Sequence, residues 1–282
     1  MNIYIEILKF IIYCIFIVVI SKYLLVNLLR KLAETLNLKP KIVGNIAGVA
    51  TSVPELLTIT FSSFAGLIDT SVFNIISSNI INFVQYIFSL ILNKNWKLTA
   101  NKAIRIDIFL VISTIIIPTL LIIFNIELSI FIIPAFILLL ILFYFININA
   151  HKLYLKRQEN KIEKEIINEA KWLKGKSRKI IRYSIFLLLT SILLFVIGNL
   201  LSETLENLCL KFNISQIIIG ITLGFITSLP ELITFFESQR HYKKENDDDL
   251  GVVEATNNLL TSNVLNLFVI QSIGILIYTI FS

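Results

Sequence analysis

Long apolar segments with few interruptions run through the whole chain. Hydropathy places eight of them, at residues 3–29, 42–66, 70–93, 106–125, 128–149, 183–204, 214–237 and 251–281. A helix needs about 20 predominantly apolar residues to cross the hydrocarbon core of a bilayer, and each segment is long enough. The segments are continuous rather than alternating, which argues against the strands of a transmembrane barrel. The pattern therefore predicts an all-α polytopic membrane protein with about 8 transmembrane helices.

The composition agrees with this prediction. The chain has 282 residues, of which 56% are hydrophobic and 16% are charged, whereas soluble domains are about half apolar and about a quarter charged. Cys14 and Cys209 have no partner at metal-ligand spacing, and we expect both to be inert packing residues. The first apolar run lacks a cleavage site, so we expect it to be retained as a helix. Without a catalytic or phosphate-binding motif, we expect neither an enzyme nor a nucleic-acid partner.

Basic residues crowd every second connection between the apolar segments. They are Arg30, Lys31, Lys39 and Lys41; Lys94, Lys97, Lys102 and Arg105; the stretch from Lys152 to Arg182; and Arg240, Lys243 and Lys244. The intervening connections have almost none, with Lys211 as the exception. Because basic connections stay on the cytoplasmic side, the pattern predicts a plasma-membrane protein with both termini outside and the central basic loop in the cytoplasm.

The polar region at residues 151–180 separates a first half (1–150) from a second half (181–282). Its Lys and Glu residues follow a helical spacing, which favours a solvated, partly helical cytoplasmic connector. A regulatory or anionic-lipid-binding segment is the alternative. The acidic run Asp247–Asp249 lies beside Lys243 and Lys244. We expect a solvated loop there, with peripheral cation sensing as the alternative.

Two parts of the chain repeat each other. Residues 36–57 (LNLKPKIVGNIAGVATSVPELL) match residues 212–233 (FNISQIIIGITLGFITSLPELI), and residues 70–83 (TSVFNIISSNIINF) match residues 254–267 (EATNNLLTSNVLNL). The matches pair Gly44 with Gly220, Gly48 with Gly224, Thr51 with Thr227, Ser52 with Ser228, Pro54 with Pro230, Glu55 with Glu231, Asn74 with Asn258, Ser78 with Ser262, Asn79 with Asn263, and Asn82 with Asn266. Gln85 and Gln271 do not match, and we interpret them as packing residues.

The two repeats, at about 40–93 and about 214–281, have opposite directions in this topology. The segment 42–66 runs from the inside to the outside, and the segment 214–237 runs from the outside to the inside. Such repeats are related by a pseudo-two-fold axis in the membrane plane, and transporters place their substrate sites near the midplane at the repeat interface. The predicted fold class is therefore two inverted-topology repeats of transmembrane helices.

Glu55 and Glu231 lie well inside their apolar segments. A carboxylate in hydrocarbon is costly, so it should face protein, water or a cation, and such residues are functional by default. Each Glu belongs to one polar strip at helical spacing. The strips consist of Gly48, Thr51, Ser52 and Glu55, and of Gly224, Thr227, Ser228 and Glu231. Taken singly, Ser, Thr, Gly and Pro in membrane helices usually serve packing or kinks, but the duplicated Glu in matched context favours function.

The prolines and the following helices add further oxygen donors. Pro54 and Pro230 remove the hydrogen bond to the carbonyl four residues earlier, which frees a backbone oxygen (Ala50 O and Ile226 O) and loosens the turn. Hydroxyl and amide side chains stand four residues apart in the next segments, as Ser78 with Asn82 and Ser262 with Asn266. For Asn74 and Asn258, hydrogen bonding between helices and contact with an ion stay equal alternatives.

All of these groups are oxygen donors, and none is Cys or His. Ca²⁺ takes about six to eight oxygen ligands of this kind, Na⁺ is also satisfied by them, and zinc or copper sites have other ligands. Two carboxylates match one divalent ion in charge, and without a cation they would repel each other. The site should therefore always hold metal, sodium or protons, which is the physical basis of an antiporter.

These motifs resemble those of the calcium/cation antiporter superfamily, which contains the sodium/calcium exchangers. Its two alpha repeats carry a G-T-S-[LV]-P-E segment, followed one helix later by G-N-x-x-G-S-N-[IV]-x-[DN]. The chain has ATSVPE and ITSLPE, then FNIISSNIIN and NNLLTSNVLN. Upstream, KYLLVNLLRKLAETLNLKPKIVG is similar to the family's first helix and its link to the second. The resemblance covers roughly 20–90 and 190–270.

The resemblance implies that Glu55 and Glu231 are the central ligands of a transported cation. The rest of the implied set is Thr51, Ser52, Ser78, Asn82, Thr227, Ser228, Ser262 and Asn266, with backbone carbonyls from Gly48 and Gly224. The first and sixth helices would slide to switch access. The implied function is exchange of calcium, or a related cation, for sodium or protons, without a cofactor. A non-transporting cation-binding or sensing membrane protein is the alternative.

Three departures from the family pattern have consequences. Family glycines are replaced by Phe73, Ser77, Asn257 and Thr261, which predicts altered helix packing. Asn82 and Asn266 stand where the family often has Asp, which removes a titratable group and bears on potassium dependence and proton coupling. The family has ten helices, and the second half lacks counterparts of the fourth and fifth. We expect either a truncated chain or a shortened member whose scaffold is completed by a partner or by a second copy.

Overall fold

The fold is a bundle of α-helices, seen in a computed structural model. The structure describes residues 3–35, 40–124, 126, 129–148, 176–244 and 248–281. Its helices are α1 (Ile3–Ile20), α2 (Asn27–Thr35), α3 (Pro40–Thr51), α4 (Val53–Phe64), α5 (Ile68–Leu92), α6 (Lys102–Ile123), α7 (133–148), α8 (Lys176–Glu206), α9 (Gln216–Thr227), α10 (Leu229–Lys244), α11 (Asp248–Val264) and α12 (Gln271–Phe281). Over the described ranges there is no β-strand, so the predicted all-α class is confirmed.

Within the described residues, eight helical stretches are long and apolar enough to cross a membrane. They are Ile3–Leu25, Ile42–Phe64, Ile68–Leu92, Ile104–Ile123, Ile130–Ile148, Lys179–Lys211, Gln216–Lys243 and Asp249–Phe281. All eight predicted segments are thus confirmed, with ends that differ by a few residues. The sixth span exceeds its predicted length by more than any other span, because α8 continues into a π-helical turn at Asn207–Lys211. The second and seventh spans are an odd number of crossings apart, so the two repeats run in opposite directions.

Two polar regions differ from their predictions or lie beyond the described residues. Most of the connector 151–180 is outside the described residues, and α8 begins within it at Lys176. The acidic run was predicted as a loop, and this is wrong for its last two residues. Asp248 and Asp249 form the start of α11. Asp247 is outside the described residues.

The second and seventh spans are both broken in the middle, at equivalent positions. α3 ends at Thr51 and α4 begins at Val53, so Ser52 lies at the junction. α9 ends at Thr227 and α10 begins at Leu229, with Ser228 between them. Pro54 and Pro230 occupy the first turn of the new helix in each case, where a missing N–H costs nothing. The loosened turns predicted from the prolines are therefore present.

In the centre of the bundle, helices of one half pack against helices of the other half. α3 packs along α11, and α5 packs along α9, so each broken span lies against a helix of the other repeat. Glycines allow this approach: a Cβ added to Gly48 would lie 2.7 Å from Asn258 O, and one added to Gly220 would lie 2.6 Å from Thr70 O. A real Cβ does not tolerate such distances. The crossing therefore depends on glycine.

The residues that replace the family glycines lie at these same crossings. Phe73 faces Gly220, Ser77 faces Gly224, Asn257 faces Gly44, and Thr261 faces Gly48. Each crossing therefore keeps a glycine on one helix and takes a larger side chain from the other. The predicted alteration of helix packing is therefore limited: only one of the two helices has a glycine at each crossing, and the helices still approach closely.

α1 and α8 lie side by side and are joined by a buried polar contact. The Glu6 side chain is fully buried, and its Oε1 accepts a hydrogen bond from Lys9 Nζ at 2.9 Å. Its Oε2 accepts a hydrogen bond from Asn207 Nδ2, in the π turn after α8, at 3.3 Å. Every buried polar contact between helices is costly to leave unmade, so this one holds the first span to the end of the sixth.

α7 packs against the eighth span through an aromatic side chain. Phe268, in the π turn Leu265–Ile270, has its ring centroid 5.8 Å from Phe136 and 5.1 Å from Phe143. Both pairs are edge-to-face, which is a favoured geometry for aromatic rings. Phe268 is therefore the anchor of α7 on the eighth span.

We predict that Phe268→Ala lowers the thermal stability of the detergent-solubilised protein. Truncation of a buried Phe costs about 3–5 kcal/mol in soluble proteins, and the part of this cost that comes from lost packing persists in a membrane. Melting monitored by intrinsic fluorescence measures the shift. Phe109→Ala is the control, because Phe109 is 66% exposed on α6 and should leave the midpoint unchanged. An unchanged midpoint for Phe268→Ala would contradict the anchoring role.

Candidate cation site

The two repeated glutamates meet in the middle of the bundle. Glu55 and Glu231 lie in the first turns of α4 and α10, directly after the breaks, and both are fully buried. Their carboxylates are close enough to repel each other. Each stands at the positive end of a helix dipole, which favours a negative charge there. The structure therefore brings the two predicted carboxylates together, one from each half.

Serine hydroxyls link the halves at this point. Ser262 Oγ donates to Glu231 Oε1 at 3.0 Å, and Ser52 Oγ lies 2.9 Å from Ser262 Oγ. Ser52 Oγ also lies 2.9 Å from Gly48 O. Because Ser52 belongs to the first repeat, these contacts connect the first broken span to the carboxylate of the second.

The threonines of the two strips are placed crosswise. Thr227 lies beside the Glu55 carboxylate, and Thr51 lies beside the Glu231 carboxylate. Thr227 Oγ1 donates to Leu223 O at 3.0 Å, which leaves the oxygen lone pairs directed away from its own helix. Each threonine therefore lies next to the glutamate of the other repeat, as expected for a site with pseudo-two-fold symmetry.

The remaining predicted donors are also at the centre and buried. Ser78 Oγ donates to Asn74 O at 2.7 Å, and Ser228 Oγ is 3.5 Å from Ser78 O. Gly48 O and Gly224 O accept the backbone N–H of the serine four residues later, at 3.2 and 3.3 Å. Hydroxyls and carbonyls bonded in this way keep lone pairs that can bind a cation. Ser78 and Ser228 therefore lie against each other across the two repeats.

Several buried oxygen atoms of this region have no hydrogen-bond partner among the described residues. They are both carboxylate oxygens of Glu55, Oε2 of Glu231, and Oδ1 of Asn74, Asn82 and Asn266. Buried polar atoms are nearly always satisfied, and an exception needs a specific reason. All of these atoms are acceptors, so they fit a bound cation or a proton.

Asn74 and Asn258, whose roles were left open, make matched contacts between helices. Asn74 Nδ2 donates to Thr58 Oγ1 at 2.7 Å, and Asn258 Nδ2 donates to Thr234 Oγ1 at 2.6 Å. Hydrogen bonding between helices is therefore present for both. Thr58 and Thr234 were missed by the sequence analysis, although they occupy matching positions one turn after the glutamates. Their duplication was the available signal.

Gln85 and Gln271, interpreted from the sequence as packing residues, are both buried. Gln85 is 9% exposed and Gln271 is 2% exposed, and Oε1 of each has no hydrogen-bond partner among the described residues. The π turn Leu265–Ile270 precedes Gln271. The π turn inserts one residue into the helix, which changes the offset between the repeats from 184 to 185, whereas Gln85 and Gln271 are 186 residues apart, so the two remain unmatched. The interpretation as packing leaves their amide oxygens unexplained.

The donor chemistry excludes a thiolate or imidazole metal centre within the described residues. These contain no group of three or more His, Cys, Asp or Glu that could hold a metal. Cys14 and Cys209 are buried and free, which agrees with the packing roles expected for them. The site is therefore built from oxygen alone, as hard cations require.

Comparison with known proteins identifies relatives. A model of the sodium/calcium exchanger protein family matches residues 7–149 and 183–281. The sodium-calcium exchanger NCX_Mj soaked with sodium and without calcium has a similar fold, with a TM-score of 0.52 and 18% identity over 98% of this chain and 84% of that one. NCX_Mj soaked with sodium and strontium gives a TM-score of 0.52 and 19% identity over 98% and 83%. No curated protein sequence matches the chain.

The family match covers both repeats, including Glu55 and Glu231. The fold is similar to that of NCX_Mj over almost the whole chain. The chain therefore belongs to the sodium/calcium exchanger family of membrane antiporters.

Proposed function

We propose that the oxygen cluster around Glu55 and Glu231 is the transport site of this antiporter, and that calcium and sodium compete for it. The proposed ligands are the two glutamates with Thr51, Ser52, Ser78, Asn82, Thr227, Ser228, Ser262 and Asn266, and the carbonyls of Gly48 and Gly224. As an exchanger, the protein needs no cofactor, because Na⁺ and Ca²⁺ are its substrates.

The charge of the site is the observation that carries this proposal. Among the described residues, neither Glu55 nor Glu231 has an ion-pair partner, and both are fully buried. Desolvation of an unpaired carboxylate costs several kcal/mol, so two of them side by side need compensation by cations or protons. One Ca²⁺ or a pair of Na⁺ ions supplies two positive charges. Competition for the same carboxylates then couples the movement of one ion to that of the other.

Alternating access requires the central site to open to one side at a time. The breaks at Ser52 and Ser228 give each central span two segments, and the opposed repeats make the two routes equivalent. α1 and α8 lie at the periphery, joined through Glu6 and Asn207. We propose that they slide together as one unit, which the polar contact between them favours.

The basic connections support the membrane orientation inferred from the sequence. Described basic residues follow the third span (Lys94, Lys97), lie at the start of the fourth (Arg105) and lie at the end of the seventh (Arg240, Lys243). By the positive-inside rule these ends lie in the cytoplasm. The protein would then occupy the plasma membrane with its N-terminus outside.

Calcium-45 uptake into proteoliposomes of the purified protein tests the proposal. Liposomes loaded with sodium, potassium or acid are diluted into medium without that ion, so each gradient is offered separately. We expect uptake that requires the outward sodium gradient and stops when it is dissipated. Saturable calcium binding without uptake under any gradient would contradict transport and favour a binding or sensing role instead.

A further inference from the structure

Four asparagines meet where α5 passes α11 and the π turn that follows it, and their contacts are reciprocal. Asn79 Nδ2 donates to Asn263 O at 3.2 Å, and Asn263 Nδ2 donates to Asn79 O at 3.1 Å. Asn82 Nδ2 donates to Asn263 Oδ1, and Asn266 Nδ2 donates to Asn79 Oδ1, both at 3.2 Å. All four side chains are fully buried. We call these residues the asparagine quartet.

The backbone carbonyls determine which way each amide of the quartet points. A carbonyl oxygen only accepts, so Asn79 and Asn263 must turn Nδ2 toward the opposing main chain. Their Oδ1 atoms then face outward from that contact, where the neighbouring group must be a donor. Asn82 and Asn266 therefore have to present Nδ2 to them. The orientation of all four amides follows from the hydrogen bonds, which is the proper basis for assigning Asn side chains.

This arrangement leaves two oxygen atoms directed away from the quartet. Asn82 Oδ1 and Asn266 Oδ1 have no hydrogen-bond partner among the described residues. On their helices, Asn82 is one turn from Ser78 and Asn266 is one turn from Ser262, so each pair shares a face. Ser262 in turn donates to Glu231. Asn82 Nδ2 also lies 3.4 Å from Ser262 Oγ, so this amide borders the proposed cation site, and the proposed ligand set includes both free amide oxygens.

We infer that Asn79 and Asn263 are positioning residues, which hold Asn82 and Asn266 with their oxygens toward the transported cation. This inference rests on the proposed site. Without its anchor, the Asn266 amide can present either oxygen or nitrogen, and the nitrogen repels a cation. The cation would then have to orient the amide itself, at a cost in affinity.

The quartet also sets the charge at these two positions. An ionised aspartate at position 266 would bring a carboxylate oxygen against Asn79 Oδ1, and two acceptors repel. Asn79 could turn only by giving up its bond to Asn263 O. The quartet thus favours a neutral amide at both 82 and 266. Two carboxylates, Glu55 and Glu231, then carry the formal charge of the site.

The test is the calcium dependence of calcium-45 uptake by full-length variants in sodium-loaded proteoliposomes. We expect Asn79→Ala and Asn263→Ala to raise the half-saturating calcium concentration about tenfold, roughly the value of one hydrogen bond, with a near-normal maximal rate. Asn266→Asp should weaken binding in the native background. It should restore half-saturation in the Asn79→Ala background, because a carboxylate presents oxygen in either orientation and no longer faces Asn79 Oδ1.

Asn257→Ala is the matched control. Asn257 is equally buried on α11, but its Nδ2 donates to Val253 O within its own helix at 2.8 Å, so half-saturation should not change. If Asn79→Ala does not fold, the symmetric variant Asn263→Ala carries the test. Variants that lose maximal rate or folded protein at an unchanged half-saturation would overturn the inference and make the quartet a packing feature.

A further variant separates this inference from the proposed site. Glu55→Gln that transports like the unmodified protein would defeat the site and the inference together. Glu55→Gln without transport, combined with Asn79→Ala and Asn263→Ala of unchanged half-saturation, would defeat the inference alone. Glu55→Gln without transport, combined with the tenfold shifts and the Asn266→Asp rescue, would support both.

Discussion

Glu55→Gln and Glu231→Gln are each expected to reduce calcium-45 uptake about 100-fold or more. Glutamine keeps the shape of the side chain and removes its charge, so a bound Ca²⁺ faces one carboxylate instead of two. Removal of one partner from a buried charge pair costs about 3–5 kcal/mol, and each 1.4 kcal/mol is a factor of ten in affinity. Initial uptake rates at low calcium measure the effect.

Because the repeats are pseudo-symmetric, the two glutamine variants should have losses of similar size. Glu203→Gln is the control, since Glu203 is exposed on α8, and its uptake should match that of the unmodified protein. Near-normal uptake by either variant would mean that the corresponding half does not supply a central ligand. A large loss in only one variant would show that the repeats contribute unequally.

The second large effect is expected from an added methyl group at the central helix crossings. Gly48→Ala places a Cβ 2.7 Å from Asn258 O, and Gly224→Ala places one 2.7 Å from Asn74 O. The contacted atoms belong to the backbone and cannot rotate away, so the helices must separate. Overpacking of this kind costs about 1–3 kcal/mol. Separation of α3 from α11 would also draw Ser52 away from Ser262, and uptake should fall at least about tenfold.

Neighbouring substitutions on the opposite helix face distinguish this effect from general sensitivity of α3 and α9. Val49 is 51% exposed and Phe225 is 56% exposed. We expect Val49→Ala and Phe225→Ala to transport normally. Normal uptake and an unchanged melting midpoint for Gly48→Ala would contradict the close approach of α3 to α11.

Features encoded locally could be predicted from the sequence. The eight spans follow from uninterrupted apolar runs, and the broken helices follow from Pro54 and Pro230, because a proline acts on its own turn. Glu55 and Glu231 stand out for a related reason. A buried carboxylate is so costly in a membrane that its duplication in matched context indicates a shared site.

Features that depend on which helices are neighbours could not be predicted in this way. The sequence contains Asn79 and Asn263 as a matched pair, but their mutual contact appears only when α5 lies along α11. The replaced glycines illustrate the same limit. From the sequence alone, Phe73 in place of a glycine suggests that the helices cannot pack closely. The structure shows that the facing residue is Gly220, which leaves room for the larger side chain. The π turn Leu265–Ile270 adds one residue to the eighth span relative to an α-helix, and no residue type in this turn predicts the insertion.

The central claim is that both halves hold one cation between Glu55 and Glu231. Location of bound strontium by anomalous diffraction from crystals of the protein tests this claim most directly. We predict a strontium peak between the two carboxylates, at the distance of about 2.3–2.6 Å from their oxygens that is typical of Ca²⁺–oxygen bonds or slightly longer. A strontium ion bound by residues of one repeat alone, or at a place away from both glutamates, would contradict the account.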